Sequence, residues 1–163
     1  MNILIRQAQE CDKNAYLDFA VKLCRFNREN HDLKCKYDDF AAALEAIRRN
    51  AEATFDDIGE DTLLLIAEMD SKPAGYALGR IFQQEPNADN GTGRMGLFDE
   101  LFVDESARGQ GLGQMLMDEV MDWFREKGIS RVKLHAYSWN SNARSMYEKN
   151  GFEEYVVSYE KFI

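Results

Sequence analysis

The feature that most limits what this chain can fold into is a run of alternating glycines between a strand and a helix. Met95 to Val103 reads as a strand, Asp104 to Gln110 as a polar loop, and Gly111 to Lys127 as a helix. Their junction is Arg108-Gly109-Gln110-Gly111-Leu112-Gly113. Glycine tolerates positive φ, so backbone N–H groups here can converge on an oxyanion with no Cβ in the way. The following helix adds unpaired N–H donors and the positive end of its dipole. That combination favours a phosphate or pyrophosphate. Spacing excludes two common versions of such a loop. A Walker A loop ends in Gly-Lys-Ser/Thr, whereas Gly113 is followed by Gln114 and Met115. A dinucleotide fingerprint needs G-x-G-x-x-G directly after the strand, whereas this is G-x-G-x-G after several polar residues. The literal match at Gly91-Thr92-Gly93-Arg94-Met95-Gly96 leads into a strand and reads as loop.

The rest of the chain frames this junction. Asn2 to Ala8 alternates as a short strand, and Asp12 is placed to cap a helix running to about Arg28. A second helix is expected from Tyr37 to Ala53. Thr62 to Met69 and Ala74 to Gln83 read as an antiparallel hairpin about an Asp70-Ser71-Lys72-Pro73 turn. After the long helix come a strand at Arg131 to Tyr137, a helix at Ser141 to Asn150 ended by Gly151, and a final strand at Glu154 to Phe162. The order β-α-α-β-β-β-α-β-α-β implies one mixed α/β (α+β) domain over residues 1–163. Its sheet should be mostly antiparallel, with a parallel central pair around the 95–137 crossover. With 20 Lys and Arg against 29 Asp and Glu, the net charge is −9, which argues against a nucleic-acid or anionic-membrane partner. The N-terminus does not read as a signal peptide, and the longest apolar run, Leu63 to Ala67, is far short of a membrane span. Three cysteines without scaffold spacing fit a cytoplasmic, reducing setting.

The motif Arg108-Gly109-Gln110-Gly111-Leu112-Gly113 resembles the R/Q-x-x-G-x-G/A signature of the GCN5-related N-acetyltransferase (GNAT) superfamily. Asn142-Ala143-Arg144-Ser145-Met146-Tyr147-Glu148-Lys149-Asn150-Gly151-Phe152 is similar to that family's second signature, N-x-A-x-x-x-Y-E-K-x-G-F. The distance between the two motifs and the element order also fit. The resemblance covers residues 62–162; residues 1–60 match only in their β-α-α order. It implies a GNAT-like acyl-CoA N-acyltransferase fold, acetyl-CoA as co-substrate and no metal. Residues 96–152 would form the acetyl-CoA side, and residues 1–60 and 85–95 the acceptor side. By the same resemblance, Arg108, Gly109, Gln110, Gly111, Leu112 and Gly113 would grip the CoA pyrophosphate. Leu101, Phe102 and Val103 would bond the pantetheine arm as a strand edge, and the sheet would splay open beside them.

Acetyl transfer to an amine raises two proton problems. An alkylammonium titrates near pH 10 and must lose a proton before it attacks, and the departing thiolate gains one. The resemblance makes Tyr147 the acid candidate, although a tyrosine packed on the helix's buried face would look the same. Asn142 would bond the cofactor arm or simply start its helix. Lys149 would approach a CoA phosphate or stay solvated. For the base, Asp99 and Glu100 lie on the central strand, expected on opposite faces, and solvent is the third option. No cysteine lies near either motif, so direct attack in a ternary complex is expected. The acceptor would be a small-molecule amine, polyamine or aminoglycoside-like in character. A protein N-terminus or lysine, or a CoA-binding module without turnover, remains open. The seven acids and no base between Asn50 and Asp70 would form an acidic rim that either draws a cationic amine or only aids solubility. His31 and Cys35 are two ligands, too few for a zinc site. His135 reads as structural, and Trp139 lines either groove or core. Glu154 to Tyr159 is apolar enough to pair in a homodimer.

Overall fold

The computed structural model describes residues 2–30, 39–83, 85–86, 88, 93–161 and 163. Strand β1 is Ile3–Gln7. Helices α1 (Lys13–Asn30) and α2 (Phe40–Asp56) follow, then strands β2 (Thr62–Met69), β3 (Lys72–Gln83) and β4 (Arg94–Val103). Helix α3 is Leu112–Glu126, strand β5 is Val132–Leu134 and helix α4 is Ser141–Lys149. The strands lie in the order β1-β2-β3-β4-β5, antiparallel except for the parallel pair β4–β5. This is the mixed sheet that the element order implies. Among the described residues, no helix is long and apolar enough to cross a membrane.

The continuous apolar run of β2 is explained by burial on both faces. Leu63, Leu65 and Ala67 face α3, with Leu116, Val120 and Phe124. Leu64 and Ile66 face α1 and α2, with Tyr16, Phe19 and Phe55. The β2–β3 turn is tighter than expected. Asp70 (φ 49°) and Ser71 (φ 64°) both adopt left-handed backbone between the paired Met69 and Lys72. These values match a two-residue type I′ hairpin loop. Asp12 does not cap α1 directly. A 3-10 turn, Glu10–Asp12, leads into the helix, and the Asp12 carboxylate accepts from Arg6 (2.6 and 2.9 Å) and from the Gln9 N–H (2.7 Å). Arg6 also donates to Glu68 from Nε at 2.9 Å, so this half-buried cluster about the buried Asp12 ties β1, β2 and the start of α1 together. Asp39 caps α2 through the Ala42 N–H; the expected start at Tyr37 lies outside the described residues.

Two expectations fail at the C-terminal end. β5 is only three residues long, and residues 154–161 form no strand. The parallel pair therefore lies at the edge of the described sheet, not at its centre. Tyr155, Val156, Val157 and Tyr159 are exposed, so this segment gains no burial to offset ordering it as a strand. Tyr155 instead lies under Arg131 and Lys133, with cation–ring distances of 5.5 and 5.1 Å. Phe162 lies outside the described residues.

Helix α3 approaches the sheet closely because β3 and β4 present glycines beneath it. A Cβ on Gly79 would sit 2.9 Å from Val120 Cγ1, and one on Gly96 would sit 2.6 Å from Phe124 Cε1. Phe124 is fully buried and has no room to retreat. Gly96→Ala is expected to cost about 1–3 kcal/mol through overpacking. Urea unfolding at unchanged m-value measures it, and a loss under about 0.5 kcal/mol would contradict the packing.

Candidate active site

The site begins with an irregularity in β4. Opposite β3, Leu78 pairs with Glu100 and Gly79 pairs with Phe98, so Asp99 is an extra residue on β4. This is a β-bulge, which bends a strand and re-aims its side chains. Asp99 and Glu100 accordingly turn to the same face, that of α1 and α2, and not to opposite faces. Arg80 Nε donates to Asp99 Oδ2 at 2.8 Å, while Arg80 also reaches Thr54 Oγ1 on α2 at 2.7 Å. Tyr76, buried against α1, donates from its hydroxyl to Glu100 Oε2 at 2.7 Å. Burial pushes the Glu100 carboxyl above its ordinary range, opposed by the Tyr76 hydrogen bond.

The bulge also marks where β4 loses β5. The parallel ladder covers only Gly96–Val132, Leu97–Lys133 and Phe98–Leu134. Beyond Phe98 the two strands separate. The Asp104 N–H donates to Ala74 O on β3. By strand alternation Phe102 also turns its backbone to β3, while Leu101 and Val103 turn theirs to the open side. Phe102 buries its side chain against α1 and α2, so of the three expected strand residues only Leu101 and Val103 turn backbone groups to the open side, where the Val103 carbonyl accepts from Arg108 Nε.

The glycine loop lies at the end of this opening. Gly109 (φ 77°) and Gly111 (φ 81°) hold left-handed backbone, and a Cβ on either would meet nothing within 4 Å. Gly111 precedes the first turn of α3, where Met115 N–H makes the first intrahelical bond back to Gly111 O. The N–H groups of Leu112, Gly113 and Gln114 thus stand ahead of the helical ladder. Leu112 itself is a core residue at 1% exposure and contributes backbone alone. Gln110 is exposed beside it. Arg108 donates from Nε to Val103 O at 3.1 Å and stacks its guanidinium 5.2 Å from the Phe26 ring centroid.

Helix α4 closes the other wall. Asn140, not Asn142, caps it by accepting from the Ala143 N–H at 3.1 Å. Asn142 stands exposed in the first turn. Tyr147 packs edge-on against Phe98 (6.4 Å) and Phe152 (6.2 Å). Burial raises its hydroxyl above the ordinary tyrosine range, which keeps it protonated near neutrality. Phe98 and Glu100 stand on opposite faces of β4 across the bulge. Tyr147 and Glu100 therefore approach the strand from opposite sides. The residues that sequence reasoning missed are Tyr76, Arg80, Thr54 and Phe26. Arg80 gave the one usable signal, a lone charge within the otherwise apolar run of β3. Among the described residues no group of three His, Cys, Asp or Glu side chains could hold a metal ion; His31 and Cys35 lie outside them.

Comparison with known proteins agrees with this geometry. The family described as Acetyltransferase (GNAT) matches residues 25–152. A mycothiol acetyltransferase of Beutenbergia cavernae is 35% identical over 118 residues, 72% of this chain. The match spans only 36% of that relative's length. A thialysine N-epsilon-acetyltransferase of Mus musculus is 26% identical over 164 residues, 94% of this chain and 86% of that protein. A predicted acetyltransferase of Clostridium acetobutylicum, solved with acetyl-CoA, has the same fold. Its TM-score is 0.73 at 19% identity, covering 99% of this chain and 96% of that one.

Gly111→Ala would force a side chain into left-handed backbone at the start of α3. The expected cost is about 1–2 kcal/mol, read by urea unfolding. An unchanged midpoint would show that the loop tolerates another conformation.

Proposed function

The chain belongs to the acetyltransferase (GNAT) family, and we propose that it transfers the acetyl group of acetyl-CoA to a primary amine of a small molecule by direct attack in a ternary complex. The observation that carries this reading is the opening of the sheet at the β4 bulge, with a glycine loop at one end and a carboxylate at the other. The residues present fit acetyl-CoA. The backbone of Leu101 and the N–H of Val103 offer a strand edge for the amides of the pantetheine arm, and open space faces the left-handed glycines where a pyrophosphate would lie. Acetyl-CoA supplies the activated thioester.

The protein's own groups supply binding and proton transfer. The N–H groups at Gly109 to Gly113, with Arg108, hold the anionic end of the co-substrate. Asn142 stands at the α4 wall within the same groove. Glu100 takes the proton of the acceptor ammonium. Asp99 is set aside from that role because Arg80 already binds it, and its place is on the acceptor wall. Tyr147, protonated and on the far side of β4, gives a proton to the leaving thiolate. A backbone N–H on the open edge of β4 steadies the negative charge that develops on the acetyl oxygen.

The acidic stretch supports only weak steering of a polycation. Asp56 pairs with Lys13 at 2.7 Å, Asp57 accepts from Thr62, Asp61 pairs with Arg94, and Glu68 pairs with Arg6. A small amine of single charge therefore fits better than a polyamine or aminoglycoside. The thialysine specificity in the name of the Mus musculus relative supports a small-molecule acceptor. The same reading places the protein in the cytosol, in keeping with the free thiols of Cys11 and Cys24, and leaves the exposed 154–159 segment as the surface for a second copy.

Incubation with acetyl-CoA and a panel of amines, followed by thiol release, tests the proposal. Release should depend on the amine. Its absence with every amine, alongside retained CoA binding, would make the chain a binding module. Tyr147→Phe should lower kcat by about 10–100-fold with CoA affinity unchanged, and Glu100→Gln should lower kcat/KM by about 100-fold. The base must be ionised to act, so kcat/KM should fall as pH drops through the raised Glu100 pKa. A profile flat down to the ordinary carboxylate range would remove Glu100 from the role.

A further inference from the structure

Glu100 lies where three elements meet, and its hydrogen bonding is lopsided. Oε2 accepts from the Tyr76 hydroxyl at 2.7 Å. Oε1 accepts nothing among the described residues and keeps contact with solvent. The Tyr76 ring is 0% exposed and is fixed by three others. Tyr16 meets it edge-on at 5.0 Å, while Phe19 and Phe102 each lie 6.3 Å away. Its hydroxyl therefore has no room to turn from the carboxylate. The titratable and charged groups facing Glu100 are Tyr16 from α1, Tyr76 and Arg80 from β3, and Asp99 from β4; α2 adds the uncharged Thr54. Arg80 is engaged by Asp99 and Thr54. Tyr76 is thus the one hydrogen-bond donor to the Glu100 carboxylate among the described residues.

We propose that Tyr76 is the positioning residue for Glu100: its hydroxyl anchors one carboxylate oxygen in the core and leaves the other to meet the acceptor ammonium. This rests on the reading of Glu100 as the base. Burial beside a carboxyl keeps the Tyr76 hydroxyl protonated well beyond the ordinary tyrosine range, so it donates at every working pH. It stabilises the ionised form of Glu100 and opposes the burial that favours the neutral form. The proton then has one route. The ammonium N–H bond breaks, an Oε1–H bond forms, and the Tyr76 O–H bond stays intact. From Oε1 the proton passes to solvent.

Tyr76→Phe removes the donor and keeps the ring. The acidic limb of the kcat/KM profile for the amine should move to higher pH by about one unit, because the carboxylate loses its stabilising donor. Tyr16→Phe, which removes a hydroxyl from the same ring cluster, should leave the limb in place. Tyr76→Met fills similar volume without a donor and should give the same shift if the phenylalanine variant does not fold. Titration of the Glu100 carboxyl by 13C NMR, with Glu100→Gln to assign its signal, reads the same shift without turnover. An unchanged Glu100 titration in both Tyr76 variants overturns the positioning role. A limb that persists in Glu100→Gln overturns the base reading instead, and the NMR titration separates the two.

Discussion

A single extra residue in β4 controls the arrangement of the site. A regular strand would have continued its ladder with β5 and sent Asp99 and Glu100 to opposite faces. The parallel pairing ends at Phe98 beside the bulge, the backbone of Leu101 and Val103 faces away from β3 with the Val103 carbonyl held by Arg108, and both carboxylates turn toward α1 and α2. One backbone irregularity thus sits where the sheet opens and where two carboxylates share a face. A displaced ladder costs hydrogen bonds, so it persists only where the surrounding packing holds it. Here that packing comes from two cores, one on each face of the sheet.

Those cores also set the glycine loop in place. Ala107 is buried at the turn before it, and Leu112 is buried just after it. The loop between them is exposed, yet its ends are clamped. Helix α1 adds an outer brace, with Lys22 bonded to Asp104 and Phe26 lying against both Arg108 and Trp139. Helix α1, far earlier in the chain, therefore also steadies the loop ahead of α3. The close seat of α3 over Gly79 and Gly96 fixes where the helix begins, and so where its free N–H groups lie.

Electrostatics in the fold differ from electrostatics by count. Every charged residue from Asn50 to Asp70 is acidic, but the tertiary structure brings Lys13, Arg80, Arg94 and Arg6 to four of these carboxylates from distant positions. Among the described residues Glu100 forms no ion pair and is held by the hydroxyl of Tyr76. Burial holds the Glu100 carboxyl above its ordinary range, opposed by the Tyr76 hydrogen bond.

Much of this was legible in the sequence. The alternation of β1, the doubly apolar β2 and the helical spacing of α3 gave the elements. The Gly-x-Gly-x-Gly spacing and the Asn142–Phe152 motif gave the family. These are local signals, because backbone freedom at glycine and side-chain periodicity are written residue by residue. The C-terminal strand misled, since its apolar pattern shows the capacity to pair but not the presence of a partner. The face shared by Asp99 and Glu100, the anchoring of Glu100 by Tyr76 and the neutralised acidic run were not legible. Each depends on residues nineteen or more positions apart meeting in the fold, with a separation of 24 for Tyr76 and Glu100. The sequence by itself determined what could bind a phosphate and where a strand or helix would form. Only the tertiary structure decided that Asp99 meets Arg80 while Glu100 meets Tyr76, because a bulge and its cross-strand partners are properties of pairing and belong to no single segment.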